Sequence, residues 1–297
     1  MNDQLSNKSS DVDAYKFFGG EAKKYGDQYK PNDLAKLYPE HVFRLNIFLN
    51  LLAIIKPKRM LDIGCGSGQP LLAFLQKGYD AHGFDYSHEM VEQAKQLLLA
   101  NDLDQARVSR NNMENIENIL PGHYDCVVGL GSLYYSRNFK NTISQIADIL
   151  PKGGNFIFSL RNELFSLFSL NAYTSDFFLK NLIPSASSIT PELKGRLHTF
   201  LAGKFSPWGA TKKFLTIDDN KVYSLYHNPL TVESEVLAPN GLALKGIYYY
   251  HYHALPPEFE HSDTEEFRKL SCELENPADW RGMFMSSSFV VHAVKPE

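Results

Sequence analysis

Three glycines at alternate positions, Gly64, Gly66 and Gly68, follow an apolar run directly in Met60-Leu-Asp-Ile-Gly-Cys-Gly-Ser-Gly-Gln-Pro70, and a helix-forming run comes after them. A residue without a Cβ takes positive φ freely and lets the backbone approach a ligand closely at the carboxyl end of a strand. The pattern therefore specifies a strand, a ligand-binding loop and a helix. Its spacing restricts the ligand. A dinucleotide fingerprint, G-x-G-x-x-G, needs its third glycine at position 69, which here is Gln69, so a nicotinamide-dependent dehydrogenase is disfavoured. Asp62, just before the first glycine, is placed to accept hydrogen bonds from an ammonium group or from backbone amides.

One unit downstream, Tyr79-Asp-Ala-His-Gly-Phe-Asp85 reads as a second strand ending in an acid. A carboxylate at that tip is suited to both hydroxyls of a ribose, as in other nucleotide-binding parallel sheets. The helix that follows has Ser87 as its N-cap and Glu89 in its first turn, with Met90, Val91, Ala94, Leu97 and Leu98 on one face.

Alternating strand and helix periodicities continue to about residue 160, the signature of a parallel sheet covered on both faces. The expected elements are a helix at 40–55, strands at 59–63 and 80–84, a weaker strand at 106–109 and an apolar strand at 124–130. A helix at 138–150, the turn Pro151-Lys-Gly-Gly154 and a strand at 155–160 complete this part. With 297 residues, 43% of them hydrophobic, the chain can bury a large core. A net charge of −4 without long basic runs argues against nucleic acid as a partner. Cys65, Cys126 and Cys272 read as reduced thiols. The amino terminus has no apolar signal core, and no uninterrupted apolar stretch is long enough to span a bilayer. These features give the expectation of a cytoplasmic protein that does not engage a membrane.

The glycine loop, the acid Asp85 and the Pro-Lys-Gly-Gly turn together resemble the class I S-adenosylmethionine-dependent methyltransferases. The resemblance is strong over 60–160 and weaker over the last hairpin. It implies a Rossmann-like α/β fold with a seven-stranded sheet, helices on both faces, and S-adenosylmethionine as cofactor. It assigns cofactor contacts to Asp62, Gly64, Cys65, Gly66 and Gly68, a ribose contact to Asp85, and adenine contacts to Tyr86 and Met90. Asn112 and Met113 fall where the family often has an acid facing the adenine amine, and this chain has Asn112 at that position. Leu130 and Gly131 occupy the segment after the fourth strand that contacts cofactor and acceptor. That segment, Gly129-Leu-Gly-Ser-Leu-Tyr-Tyr135, lacks the Asp/Asn-Pro-Pro-aromatic motif of some nitrogen methyltransferases, which disfavours amide and base-nitrogen acceptors. Tyr25 and Tyr29 lie where small-molecule members close over the cofactor, and they read equally as packing.

Three parts are expected: a core at 1–161 with an N-terminal helical cap, an inserted lid or substrate region at 162–230, and the end of the core sheet at 231–297. The run Leu164 to Phe178 carries five aromatics and one charge. It reads either as a buried helix or as a lid over the acceptor, since the insertion leaves from the carboxyl edge of the sheet. Tyr173 in this run is a candidate acceptor contact. Alternation over 214–226 suggests a hairpin turning at 218–220. A helix at 231–237, a strand at 243–253 and a last strand at 289–294 close the chain.

Strand alternation places Tyr249, His251 and His253 on one face and Tyr248, Tyr250 and Tyr252 on the other. Edge packing, acceptor lining with a histidine base, and a metal site all compete for this run. A third metal ligand is not evident, so no metal is expected. An activated sulfonium methyl needs an aligned acceptor and dry surroundings, with a base only where the acceptor loses a proton. His251, His253 and His227 are candidate bases or acceptor contacts. Arg161, beyond the fifth strand, either pairs an acidic group or serves structure. The leading expectation is a methyltransferase acting on oxygen or nitrogen of a small polar metabolite, a sugar or a natural-product intermediate, as a monomer or homodimer. A protein methyltransferase and a non-catalytic cofactor-binding protein are the alternatives.

Overall fold

The computed structural model describes residues 19–20, 26–29, 37–116, 118–183, 190–205, 222–261 and 264–297. Helix α1 (Glu40–Ile55) leads into β1 (Met60–Ile63), α2 (Gln69–Gln76), β2 (Ala81–Asp85), α3 (His88–Leu99) and β3 (Val108–Arg110). Then come β4 (Cys126–Gly129), α4 (Phe139–Ile149) and β5 (Asn155–Asn162). The order across the sheet is β3-β2-β1-β4-β5-β8-β7, where β7 spans Ala243–Tyr252 and β8 spans Ser286–Val294. Strands β1 to β5 are parallel, and β8 runs antiparallel to both β5 and β7. The seven expected strands are joined by a two-residue eighth, β6 (Tyr226–His227), which pairs parallel with Arg161 and Asn162 beyond the end of β4.

Period-two alternation divides the core between the two faces. Val127, Phe156 and Phe158 pack with Ile143 and Ile146 of α4, while Cys126, Val128 and Ile157 pack with Phe48 and Leu52 of α1 and Phe74 of α2. Helix α1 stops where Lys56 turns left-handed (φ 52) ahead of Pro57. Ser87 caps α3 by accepting from Met90 N at 3.3 Å and donates to Glu89 at 2.8 Å. All three cysteines are free thiols. Among the described residues, no helix is long and apolar enough to cross a membrane.

Beyond β5 the chain forms two short helices, α5 (Phe165–Ser169) and α6 (Ala172–Phe177), where one buried helix was an alternative. Left-handed Leu170 (φ 50) separates them, and Asn171 and Thr174 form a capping box that starts the second. Buried Asn162 fixes this departure: its amide donates to the carbonyls of Met283 (2.9 Å) and Ser286 (2.8 Å) and its oxygen accepts from Leu164 N. Helix α7 (Pro191–Ala202) follows. Most of the expected hairpin over 214–226 lies outside the described residues. The helix expected at 231–237 is a single π-helical turn, Glu233–Leu237. Near the end of the chain, α8 (Thr264–Glu273) and α9 (Gly282–Met285) lie between β7 and β8.

The face assignment in β7 needs correction. Tyr248 and Tyr250 pack on the α1 side and Tyr249 on the α4 side, as alternation requires, but Tyr252 joins Tyr249 and His251 turns towards α1. His251 adopts φ 62, and one left-handed residue rotates the chain enough to break the two-residue period.

Candidate active site

Parallel strands deliver their loops to one edge, so the termini of β1, β2 and β4 surround a cleft that opens to solvent. Its wall includes Asp62, Gly64, Cys65 and Gly66 from the first loop, and Asp85, Tyr86 and Met90 from the second. Met113, Leu130, Gly131 and Tyr29, also expected from the sequence, line it as well. Gly64, Gly66 and Gly68 all have positive φ (70, 55 and 85). Gly68 lies behind the cleft rather than on it: a Cβ there would meet Ala94 at 2.9 Å, so this glycine lets α2 start hard against α3.

Asp85 organises the loops. Its Oδ2 accepts from Gly66 N and its Oδ1 from Ser87 N, both at 2.9 Å, leaving a second acceptor direction on each oxygen. Burial pushes its carboxyl upward against these amides. Asp62 is 1% exposed, and its Oδ2 is buried without a hydrogen-bond partner. Burial, and then the Asp85 charge, raise it to about 8, with Arg44 opposing. A buried carboxylate oxygen without a donor suits an incoming ammonium. These residues thus fit an α-amino group and a ribose together, the two polar ends of an aminoacyl nucleoside.

Asn112 does not line the cleft, because its side-chain oxygen accepts from Glu114 N at 2.9 Å. Tyr25 lies outside the described residues. Pro70, Ser132 and Tyr135 also belong to the wall, and Ser132 Oγ donates to the Ile63 carbonyl at 2.6 Å, tying the β4 loop to β1.

Arg44, absent from the sequence-based set, is 3% exposed. Its Nη2 donates to Tyr29 Oη at 3.0 Å and lies 2.8 Å from His41 Nδ1. Its guanidinium fills the space where a side chain at Gly131 would go. A signal was available, since Arg44 falls on the same helical stripe as Ile47, Phe48, Leu51 and Leu52, and a cation there needs a partner in the interior.

None of the three candidate histidines lies on the cleft wall. His251 Nδ1 contacts Glu40 Oε2 at 2.6 Å and Ser287 Oγ at 2.8 Å, and its ring stacks on Tyr38. Burial works against its charge, but Glu40 prevails and raises it. His253 is 6% exposed beside Phe165 and Phe267 with both ring nitrogens unpartnered, and burial holds it far below the usual histidine range. His227 packs on Phe139, and burial lowers it to about 4. Among the described residues no group of three potential ligands could hold a metal ion.

Arg161 and Tyr173 do not line the cleft either; Arg161 lies next to it, behind Tyr135. Arg161 Nη2 donates to Tyr135 Oη at 3.3 Å. Burial, with neighbouring Tyr226 adding to it, pushes the Tyr173 phenol up to about 12 despite the opposing Arg161 charge.

Comparison with known proteins agrees with this geometry. The sequence model of a family described as a methyltransferase domain matches residues 38–190. An uncharacterised protein of Haemophilus influenzae is 32% identical over 119 residues, covering 39% of this chain and 47% of that protein. A ubiquinone biosynthesis O-methyltransferase of Serratia proteamaculans is 24% identical over 192 residues, covering 63% of this chain and 77% of that enzyme. The crystal structure of magnesium protoporphyrin IX methyltransferase from Synechocystis, with S-adenosylhomocysteine bound, shares the fold at a TM-score of 0.55 and 14% identity, covering 95% and 97% of the two chains. The matched family covers more than half of the chain, and the protein belongs to the class I S-adenosylmethionine-dependent methyltransferases.

Proposed function

We propose that this methyltransferase methylates an oxygen or nitrogen of a small polar metabolite, sugar or natural-product intermediate. The observation that carries the reading is the cleft whose cofactor-side residues, Asp62 and Asp85, continue into an aromatic wall at Tyr135. The relatives that act on small molecules, named as ubiquinone biosynthesis and magnesium protoporphyrin methyltransferases, support the same class of acceptor.

Bound cofactor supplies a methyl group already activated on a sulfonium. In this reading Asp62 holds the ammonium end, Asp85 the ribose, and Tyr86 and Met90 the adenine. Arg44 lends positive charge at the Asp62 end and keeps Tyr29 in place. The segment 164–178 serves as a lid that excludes water and aligns the acceptor, the larger part of the catalytic work. Of the three histidines, His251 is held in an ion pair with Glu40 and His253 is enclosed by phenylalanines. His227 packs on Phe139 with its Nδ1 buried and its basicity lowered to about 4, so in this reading none of the three takes a proton in the cleft and alignment supplies the rate.

The test is turnover. Purified protein is incubated with S-adenosylmethionine and separate panels of hydroxylated metabolites, amines and unfolded peptides, and S-adenosylhomocysteine and methylated products are measured by mass spectrometry. Methylation confined to peptides would overturn the small-molecule reading.

A further inference from the structure

Arg161 is a cation held among aromatic rings. Its guanidinium carbon lies 5.1 Å from the ring centre of Tyr134, 5.8 Å from Tyr135 and 5.9 Å from Tyr226. Tyr134 and Tyr135 come from the loop after β4, and Tyr226 comes from β6, which the pairing Arg161↔Tyr226 places beside it. Among the described residues, the one hydrogen bond of this guanidinium goes to Tyr135 Oη at 3.3 Å, and its electrostatic partners are tyrosines rather than carboxylates. Four other arginines have carboxylate partners instead. Arg59 and Arg107 pair with Asp80, Arg268 with Glu260, and Arg281 with Asp279.

A guanidinium carries five N–H donors in a planar fork, and taking one partly out of water without a counter-charge is costly. Rings over its faces offset part of that cost through cation–π attraction, but they leave the in-plane N–H groups open. The group that best satisfies an in-plane fork is a planar carboxylate bound through two parallel hydrogen bonds. The location is equally specific, because Tyr135 both accepts from Arg161 and lines the cofactor cleft. An anion on the Arg161 fork therefore lies one tyrosine away from the cleft. Tyr173 of α6 is near enough for its phenol to feel the charges of both Tyr226 and Arg161.

The geometry points to a carboxylate subsite formed by Arg161 with Tyr135, Tyr173 and Tyr226, so that the methyl acceptor is a small organic acid whose carboxylate docks here. This inference rests on the small-molecule reading above and names the acceptor class within it.

The probes are benzoate and its neutral isostere benzamide, each titrated calorimetrically into the full-length protein saturated with S-adenosylhomocysteine. Two charge-assisted hydrogen bonds should make benzoate bind at least about 10-fold tighter than benzamide. Arg161→Gln should abolish that preference while S-adenosylhomocysteine still binds, and Arg161→Lys should retain part of it as a point charge without a fork. If Arg161→Gln does not fold, Tyr226→Phe and Tyr135→Phe take its place, and the Tyr135 variant should weaken benzoate alone. Equal affinity for the two probes, no benzoate binding at millimolar concentration, or a preference that survives Arg161→Gln would each overturn the subsite. S-adenosylhomocysteine binding by wild type together with turnover only on peptides would overturn the small-molecule reading, and the subsite with it, by a separate observable.

Discussion

The Arg44 guanidinium occupies the volume that a side chain at Gly131 would need, so the helix before β1 and the loop after β4 meet without a gap beside the cofactor cleft. Gly131 also has φ 76, where an L side chain is strained whatever the space. Gly131→Ala should therefore cost about 1–3 kcal/mol of stability and displace Arg44 from Tyr29. Thermal melts and S-adenosylhomocysteine titration check both effects. A variant with wild-type melting temperature and affinity would show that the loop can relax around the methyl group.

Asp85 is expected to dominate cofactor affinity. Asp85→Ala removes the ribose acceptor and the anchors for the Gly66 and Ser87 amides, and should weaken binding by about 1.5–3 kcal/mol, or roughly 10- to 100-fold. Asp85→Asn keeps one acceptor oxygen and should lose less. Unchanged affinity in a folded Ala variant would remove Asp85 from the ribose role.

Asp62 links cofactor binding to protons. With its carboxyl near 8, it is mostly protonated in the free protein at pH 7, and an ammonium placed against it lowers that value. Binding should release a proton, and affinity should rise between pH 6 and pH 8. Calorimetry in two buffers of different ionisation enthalpy measures the proton count, and Asp62→Asn should bring it to zero. The same group has a stability sign. Its folded value lies above the unfolded value, so its contribution is lost as pH rises towards 8, and Asp62→Asn should be more stable than wild type at pH 8 but not at pH 4. Equal pH dependence of melting in the two proteins would contradict this.

Acid should act through the buried histidines in the opposite sense. His41 and His227 are lowered to about 4, and His253 lies lower than its ordinary value, all with burial as the largest cause. They stay neutral in the folded chain while the unfolded chain takes up protons below about 6.5. Their contribution to stability is therefore present above 6.5 and lost as pH falls towards 4. His253→Phe, in a site already walled by Phe165 and Phe267, should shrink the drop in melting temperature between pH 7 and pH 5. An unchanged drop would mean that His253 is not buried in the neutral form.

The histidine candidates also bear on the chemistry. Because His227 lies off the cleft wall with a buried Nδ1, His227→Ala should change kcat for a hydroxyl acceptor by less than about 10-fold, short of the roughly 10²- to 10⁴-fold share of a general base, with little change in S-adenosylhomocysteine affinity. A fall of about 10²-fold or more would instead make His227 the base.

The features legible in the sequence are those that a few adjacent residues decide. The positive φ values at Gly64, Gly66 and Gly68, the Ser87 cap and the acid at the tip of β2 depend on local backbone sterics and on strand ends, and each has a residue signature. The order of strands and helices from α1 to β5 was legible for the same reason, because hydrophobic periods of 2 and 3.6 are written locally. Contacts made across the fold were not. Arg44 reaches Gly131 over 87 positions only because β4 lies beside β1, and Tyr226 covers Arg161 only because β6 extends the sheet past the end of β4. The period-two rule put His251 on the wrong face because a single left-handed residue, imposed where His251 meets Glu40 and Ser287, rotates everything after it. Local chemistry determined the cofactor loop and the class of fold. The pairing of distant strands, which brings together residues with no spacing rule between them, decided what surrounds Arg44 and Arg161.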